Sequence, residues 1–225
     1  IELSRLLTGR LFTDEQIKQL VTDEYEICNY HYLERIAEIA RGNPRLAVMA
    51  AGVAKESSLS SIHDVSALYD SYFFSIREDL SSEGADPTSP DHLRVAAIVS
   101  FFKTVDRTNE KMMSAIEEAF GITQAVLWEA ADRLHDMEVL DMHEDEVVRV
   151  SDQVLGTYLF YLAFFKEGVL DFGTLIDYFF PEQRQRLIDS INPVLNAFDS
   201  RQIIDAMRPH VERVWAELEE EDDEE

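Results

Sequence analysis

The sequence contains a single cysteine, Cys28, so no internal disulfide can form, which fits the reducing conditions of a cytoplasmic protein. Basic residues are scarce as well. Twenty Lys and Arg stand against 45 Asp and Glu, for a formal charge of −25. Nucleic acids and anionic membranes are held through many cationic contacts, so this balance argues against DNA and against membrane as partners. Only five of the basic residues are Lys. A salt-adapted source would show that, and so would an ordinary acidic protein. No apolar run approaches the roughly 18 residues of a membrane span, and no secretory leader is visible. None of the eight glycines is followed by lysine, so the phosphate-cradling loop G-x-x-x-x-G-K-[ST] is missing. No apolar strand ends in an acidic pair that could hold magnesium, and βαβ alternation is absent. The chain as given is not expected to hydrolyse ATP.

What is present is a mainly α pattern. With 225 residues, 46% of them hydrophobic, the chain can build one large domain or two to three small ones. Thr13 and Gln16 read as a capping box opening a helix that buries Ile17, Leu20 and Val21. A second helix is expected over residues 30 to 41, with Leu33, Ile36, Ala37 and Ala40 inward. A third begins at Pro44, and a fourth spans about 61 to 80. The loop-like window SSEGADPTSP, residues 81 to 90, marks the best domain boundary, with Ser89-Pro90 capping the next helix.

That helix, LRVAAIVSFF, is apolar almost all round and so should be buried. Next come TNEKMMSAIEEAFG, with Thr108 as N-cap and Gly121 as terminator, and a helix from Thr123 that buries Leu127, Ala130, Leu134 and Met137. The period then changes. VLDMH and VVRVSD, around Glu144-Asp145-Glu146, read as two short strands. Three helices followed by a β-hairpin is the order of a winged helix. The remainder is helical: LGTYLFYLAFF, FGTLIDYFF, a helix started by Pro181, and later helices broken or restarted at Pro193 and Pro209. The closing ELEEEDDEE reads as a frayed, solvated tail. We therefore expect a helical domain over 1–85, a winged helix over 86–152 and a helical region over 153–225.

The stretch RGNPRLAVMAAG, residues 41 to 52, raises a chemical question. Gly42 can end one helix in a left-handed conformation, Asn43 can cap the next and Pro44 suits its first position. These three residues make a helix-to-helix corner. Arg45 is not explained that way, because its charge opposes the helix dipole by about 0.3–1 kcal/mol at an exposed site.

The segment YLERIAEIARGNPRLAVMAAGVA, in a helical domain followed by a winged helix, resembles the lid of the AAA+-related STAND NTPases. These are signalling ATPases that include NB-ARC proteins, bacterial transcription regulators and antiviral sensors. In organisation the resemblance covers residues 1 to about 165. In motif it covers GNPR and the apolar helix after it. VSDQVLGTYLFYLAFF looks most like the bacterial antiviral members. The resemblance implies that Pro44 contacts the nucleotide base or ribose and that Arg45 occupies the sensor 2 position, reaching the β/γ-phosphates. It also implies ATP with Mg, held mainly by a nucleotide-binding core N-terminal to Ile1, a C-terminal sensor, and protein contacts or homo-oligomerisation. The chain starts at Ile1 rather than Met, so we expect a piece of a longer protein, though an engineered start would read the same. The competing expectation is a non-enzymatic acidic α-helical adaptor.

Other chemical readings are weaker. His135 and His143, with Asp136, Asp141 and Glu144, match no metal spacing. Ser151-Asp152 reads as a cap before a helix. Cys28 and His31, three apart, read as packing neighbours on one helix beside Tyr30. The helix that would enter DNA carries Glu129, Asp132, Asp136 and Glu138 against Arg133 alone. From Asp91 to Asp152 there are 14 acids and 6 bases, a net of −8, so docking on phosphates would be opposed. Trp128 lies just off the apolar face, either in the core or against a neighbouring domain.

Overall fold

The computed structural model describes residues 11–56, 65–74, 76, 92–198 and 200–223, without the side chains of 181 and 217–223. The expected loop at 81–90, the Ser89-Pro90 cap and the ends of the fourth helix lie outside these residues. The chain is mainly α and divides into two compact units, 1–75 and 76–225.

The first unit packs α1 (Asp14–Tyr25), α2 (Tyr30–Ala40), α3 (Pro44–Glu56) and α4 (Val65–Tyr72). Thr13 caps α1 through the full capping box with Gln16. Asn29 caps α2 by accepting from the His31 amide. Small residues make close packing possible. Ala37 and Ala40 of α2 and Ala47, Ala50, Ala51 and Ala54 of α3 are all buried, along with Ile17, Val21, Ile36 and Leu68. The Lys18 ammonium donates to Glu34, joining α1 to α2 at the surface of that core.

In the second unit, α5 (His92–Phe102) is the central element. Every side chain on it except Arg94 is buried, as an all-round apolar helix requires. Arg94 donates from Nη2 to the Phe120 carbonyl at 2.7 Å, satisfying the end of another helix. After α5, Lys103 turns the chain at φ +65° into β1 (Thr104–Asp106), a strand that no periodicity in the sequence announces. Beyond it lie α6 (Glu110–Phe120), α7 (Gln124–Asp136), β2 (Leu140–His143) and β3 (Val147–Val150). The sheet is antiparallel with order β1-β3-β2, Val105 facing Val148 and Met142 facing Val148 from the other side. Three helices, a hairpin and a short third strand laid on its inner edge make a winged helix.

One expected cap is corrected. Asn109, not Thr108, caps α6 by accepting from the Met112 amide. Thr108 is drawn away because Asp106 Oδ1 takes both its amide, at 2.8 Å, and its hydroxyl, at 2.7 Å. Gly121 ends α6 in the left-handed region as expected.

Three helical segments complete this unit: α8 (Gln153–Tyr161) running into a π-helical turn at Leu162–Lys166, α9 (Phe172–Ala197) and α10 (Ser200–Asp223). Helices α8 and α9 pack on α5, so the winged helix shares one core with both of them. Phe101 of α5 lies 5.3 Å from the Phe179 ring of α9 and 6.5 Å from that of Phe160 of α8. Two of the three prolines do not divide these helices as expected: Pro193 lies inside α9 and Pro209 inside α10. Near Pro181 the expected break is present as a kink: Gln183, at φ −129° and ψ 33°, is non-helical and joins two helical stretches within Phe172–Ala197. A proline removes one backbone donor and strains one turn. Helix α10 carries on through the acidic run to Asp223.

Candidate functional site: the Gly42–Arg45 corner

The turn from α2 to α3 is built from consecutive residues. Arg41 ends α2 at φ 44°, its amide reaching back to the Ala37 carbonyl. Gly42 comes next at φ +79°. The Asn43 amide donates to the Ala40 carbonyl at 2.7 Å. Asn43 Oδ1 then accepts from the amides of Arg45, at 2.9 Å, and Leu46, at 3.4 Å. Pro44 is the first residue of α3, where its missing N–H costs nothing.

The corner is fastened to the chain before α1. The Phe12 amide donates to the Gly42 carbonyl at 2.7 Å. A Cβ on Gly42 would come within 2.7 Å of the Phe12 carbonyl oxygen and 3.1 Å of Leu11 Cβ. Gly42 is buried, Pro44 is half-buried and Arg45 is exposed. The two predicted residues are thus adjacent on the outer side of a fixed turn.

That geometry limits what the corner can do. Two of the amides in the first turn of α3 are already taken by Asn43, so a phosphate here would meet the guanidinium rather than a ring of backbone donors. A guanidinium offers planar, bidentate hydrogen bonds to phosphate oxygens. The residues present therefore fit one contact to a nucleotide's phosphates. They do not supply its cradle, and the described residues contain no cluster of His, Cys, Asp or Glu able to hold a metal ion.

The remaining candidates are structural. His135 Nδ1 lies 2.9 Å from the Leu140 carbonyl, and Asp141 is bound by Arg149 at 3.2 Å across the hairpin. Asp152 caps α8, accepting from the Val154 and Leu155 amides. Ser151 Oγ donates to the Glu138 carbonyl at 2.8 Å. Cys28 is exposed and stands in the loop before Asn29, so it does not share a helix with His31. Trp128 is a core residue at 4% exposure. Its Nε1 donates to the Asp145 carbonyl at 2.9 Å and fixes the wing turn, while Arg107 lies 5.4 Å over its ring.

A cavity of about 420 Å³ in the second unit has no counterpart among the sequence motifs; Phe102, Met112, Tyr178, Phe179 and Arg186 are among its lining residues.

Among the described residues no helix is long and apolar enough to cross a membrane. The chain matches no family model, no curated protein and no solved structure.

Proposed function

We propose that this chain is the lid and winged-helix portion of a STAND-class signalling ATPase of the cytoplasm, of the kind used in bacterial antiviral defence. It couples nucleotide state in an N-terminal core to conformational change and oligomerisation. Pro44 packs on the base or ribose from the lid side, and Arg45 contacts the β/γ-phosphates. ATP, with Mg, supplies the charge that Arg45 reads. The winged helix serves as a protein-packing module: α7 exposes Glu129, Asp132 and Asp136, which oppose a nucleic-acid backbone. The lid and winged helix form a two-state element whose balance the nucleotide biases.

The observation that carries this reading is the corner itself. A buried glycine locked to Phe12 and a capped, proline-started helix hold an exposed arginine at a fixed place. The test is ATP binding and turnover by the full-length parent, wild type against Arg45→Ala. Loss of turnover or of ATP-dependent assembly, with folding retained, supports the reading. Identical behaviour of the two proteins, or a parent lacking a phosphate loop, overturns it.

A second reading, an acidic non-enzymatic adaptor, draws on a different feature. Helix α10 exposes Ile204, Val211 and Trp215 at 43%, 45% and 65%. Such a surface suits protein contacts, and this reading predicts that partner binding is indifferent to ATP.

A further inference from the structure

The cavity in the second unit combines features that the lid reading does not use. It lies where the end of α5 meets α6 and α9. Three aromatic side chains line it: Phe102, Tyr178 and Phe179. Phe179 is buried, and Tyr178 is half exposed at 51%. Met112 and Ala115 of α6 form the facing wall, with Lys111 and Glu182 paired at 3.4 Å. The non-helical turn at Gln183 sits in the lining, one helical turn before Arg186.

One cation of this cavity has no carboxylate partner. In a chain with a net charge of −25, basic groups are expected to find carboxylates. Arg186 does not. Its guanidinium donates to the Phe102 carbonyl and lies 5.3 Å from the centre of the Phe102 ring. Among the described residues it forms no ion pair, and neither does Lys103 next to it. Burial lowers the pKa of Arg186 below its ordinary value. A half-buried guanidinium with no carboxylate partner favours a bound anion, which relieves the cost of its burial.

We propose that this cavity binds a small organic anion with a flat apolar body. The body lies among Phe102, Tyr178 and Phe179, opposite Met112 and Ala115, and the anionic group is held by Arg186. A volume of about 420 Å³ suits a ligand of one or two rings. The guanidinium provides directional, charge-assisted hydrogen bonds. Since α9 and α5 both contribute, occupancy ties the winged helix to α9.

The test uses 1-anilinonaphthalene-8-sulfonate as the probe anion at neutral pH, with the neutral N-phenyl-1-naphthylamine as its comparison. The expected result is saturable one-to-one binding of the sulfonate. Arg186→Gln weakens it about tenfold, the loss of one charge-assisted hydrogen bond, and leaves binding of the neutral analogue unchanged. Ala115→Phe fills the wall and abolishes both. Titrating the unsubstituted protein while following the methyl resonances of Met112 and Ala115 locates the probe without relying on any variant. Unmoved methyl resonances overturn the proposal, and so does sulfonate binding by folded Arg186→Gln equal to that of the wild type.

Discussion

Gly42 and Phe12 are in contact through their backbones on both sides: the Phe12 amide donates to the Gly42 carbonyl at 2.7 Å, and the Phe12 carbonyl oxygen lies 2.7 Å from where a Gly42 Cβ would stand. The corner that presents Arg45 depends on this contact. Gly42→Ala places a Cβ against a backbone oxygen and on a residue at φ +79°. The left-handed conformation alone costs about 1–2 kcal/mol, and the clash adds to it. Urea unfolding should show the loss in the first unit, while Arg45→Ala, at an exposed position, should change stability by no more than about 1 kcal/mol.

The wing turn is improvable. Glu144 and Asp145 both have positive φ, 52° and 56°, in a turn closed by the Glu146 amide on the His143 carbonyl at 3.1 Å. Two residues at positive φ favour Asn-Gly. The double substitution Glu144→Asn with Asp145→Gly should stabilise the second unit by about 1–2 kcal/mol, read as a raised thermal midpoint. The bond from Trp128 survives because its acceptor is the main chain at 145.

The second unit should melt as one. Phe101 is fully buried between the winged helix and the helices after it. Phe101→Ala should cost about 3–5 kcal/mol and move a single transition. Two separate transitions, one for residues up to 152 and one beyond, would contradict a shared core.

Asp106 offers a local titration. Its carboxylate is held below the ordinary range, first by the Thr108 hydroxyl and then by the amides of Thr108 and Asn109. A lowered folded pKa means the stabilisation is present above the unfolded value and is lost as pH falls through the folded one. Thr108→Val removes the first cause, so the carboxyl resonance of Asp106 should titrate at higher pH in that variant. An unchanged midpoint would mean the hydroxyl contributes nothing.

The same sign rule governs the first unit. Glu34 is lowered and Lys18 raised, each chiefly by the hydrogen bond between them. Their contribution is flat through neutral pH. It fades in acid as Glu34 protonates and in strong base as Lys18 loses its proton. Glu34→Gln should flatten the acid limb of stability against pH.

The caps of the corner were legible because the partners of the Asn43 side chain lie within three residues of it, while its fastening to Phe12 was not. The capping box at Thr13 was legible for the same reason. The expectation at Thr108 failed within that range, since two residue types able to cap stood side by side and Asp106 decided between them. Strand β1 was illegible. Three residues carry no period, and Val105 becomes a strand residue only because Val148 lies opposite it.

Most helix starts, the apolar faces and the strong negative charge were all readable from the chain alone, because caps, periodicity and charge are local or additive. Packing in three dimensions settled the rest: that α9 continues past Pro193, that the winged helix shares its core with α8 and α9, and that a cavity lined by Arg186 lies where α5, α6 and α9 meet. Arg186 meets the Phe102 carbonyl 84 residues away. No pattern along the chain encodes a contact that only the packing of α9 on α5 brings about.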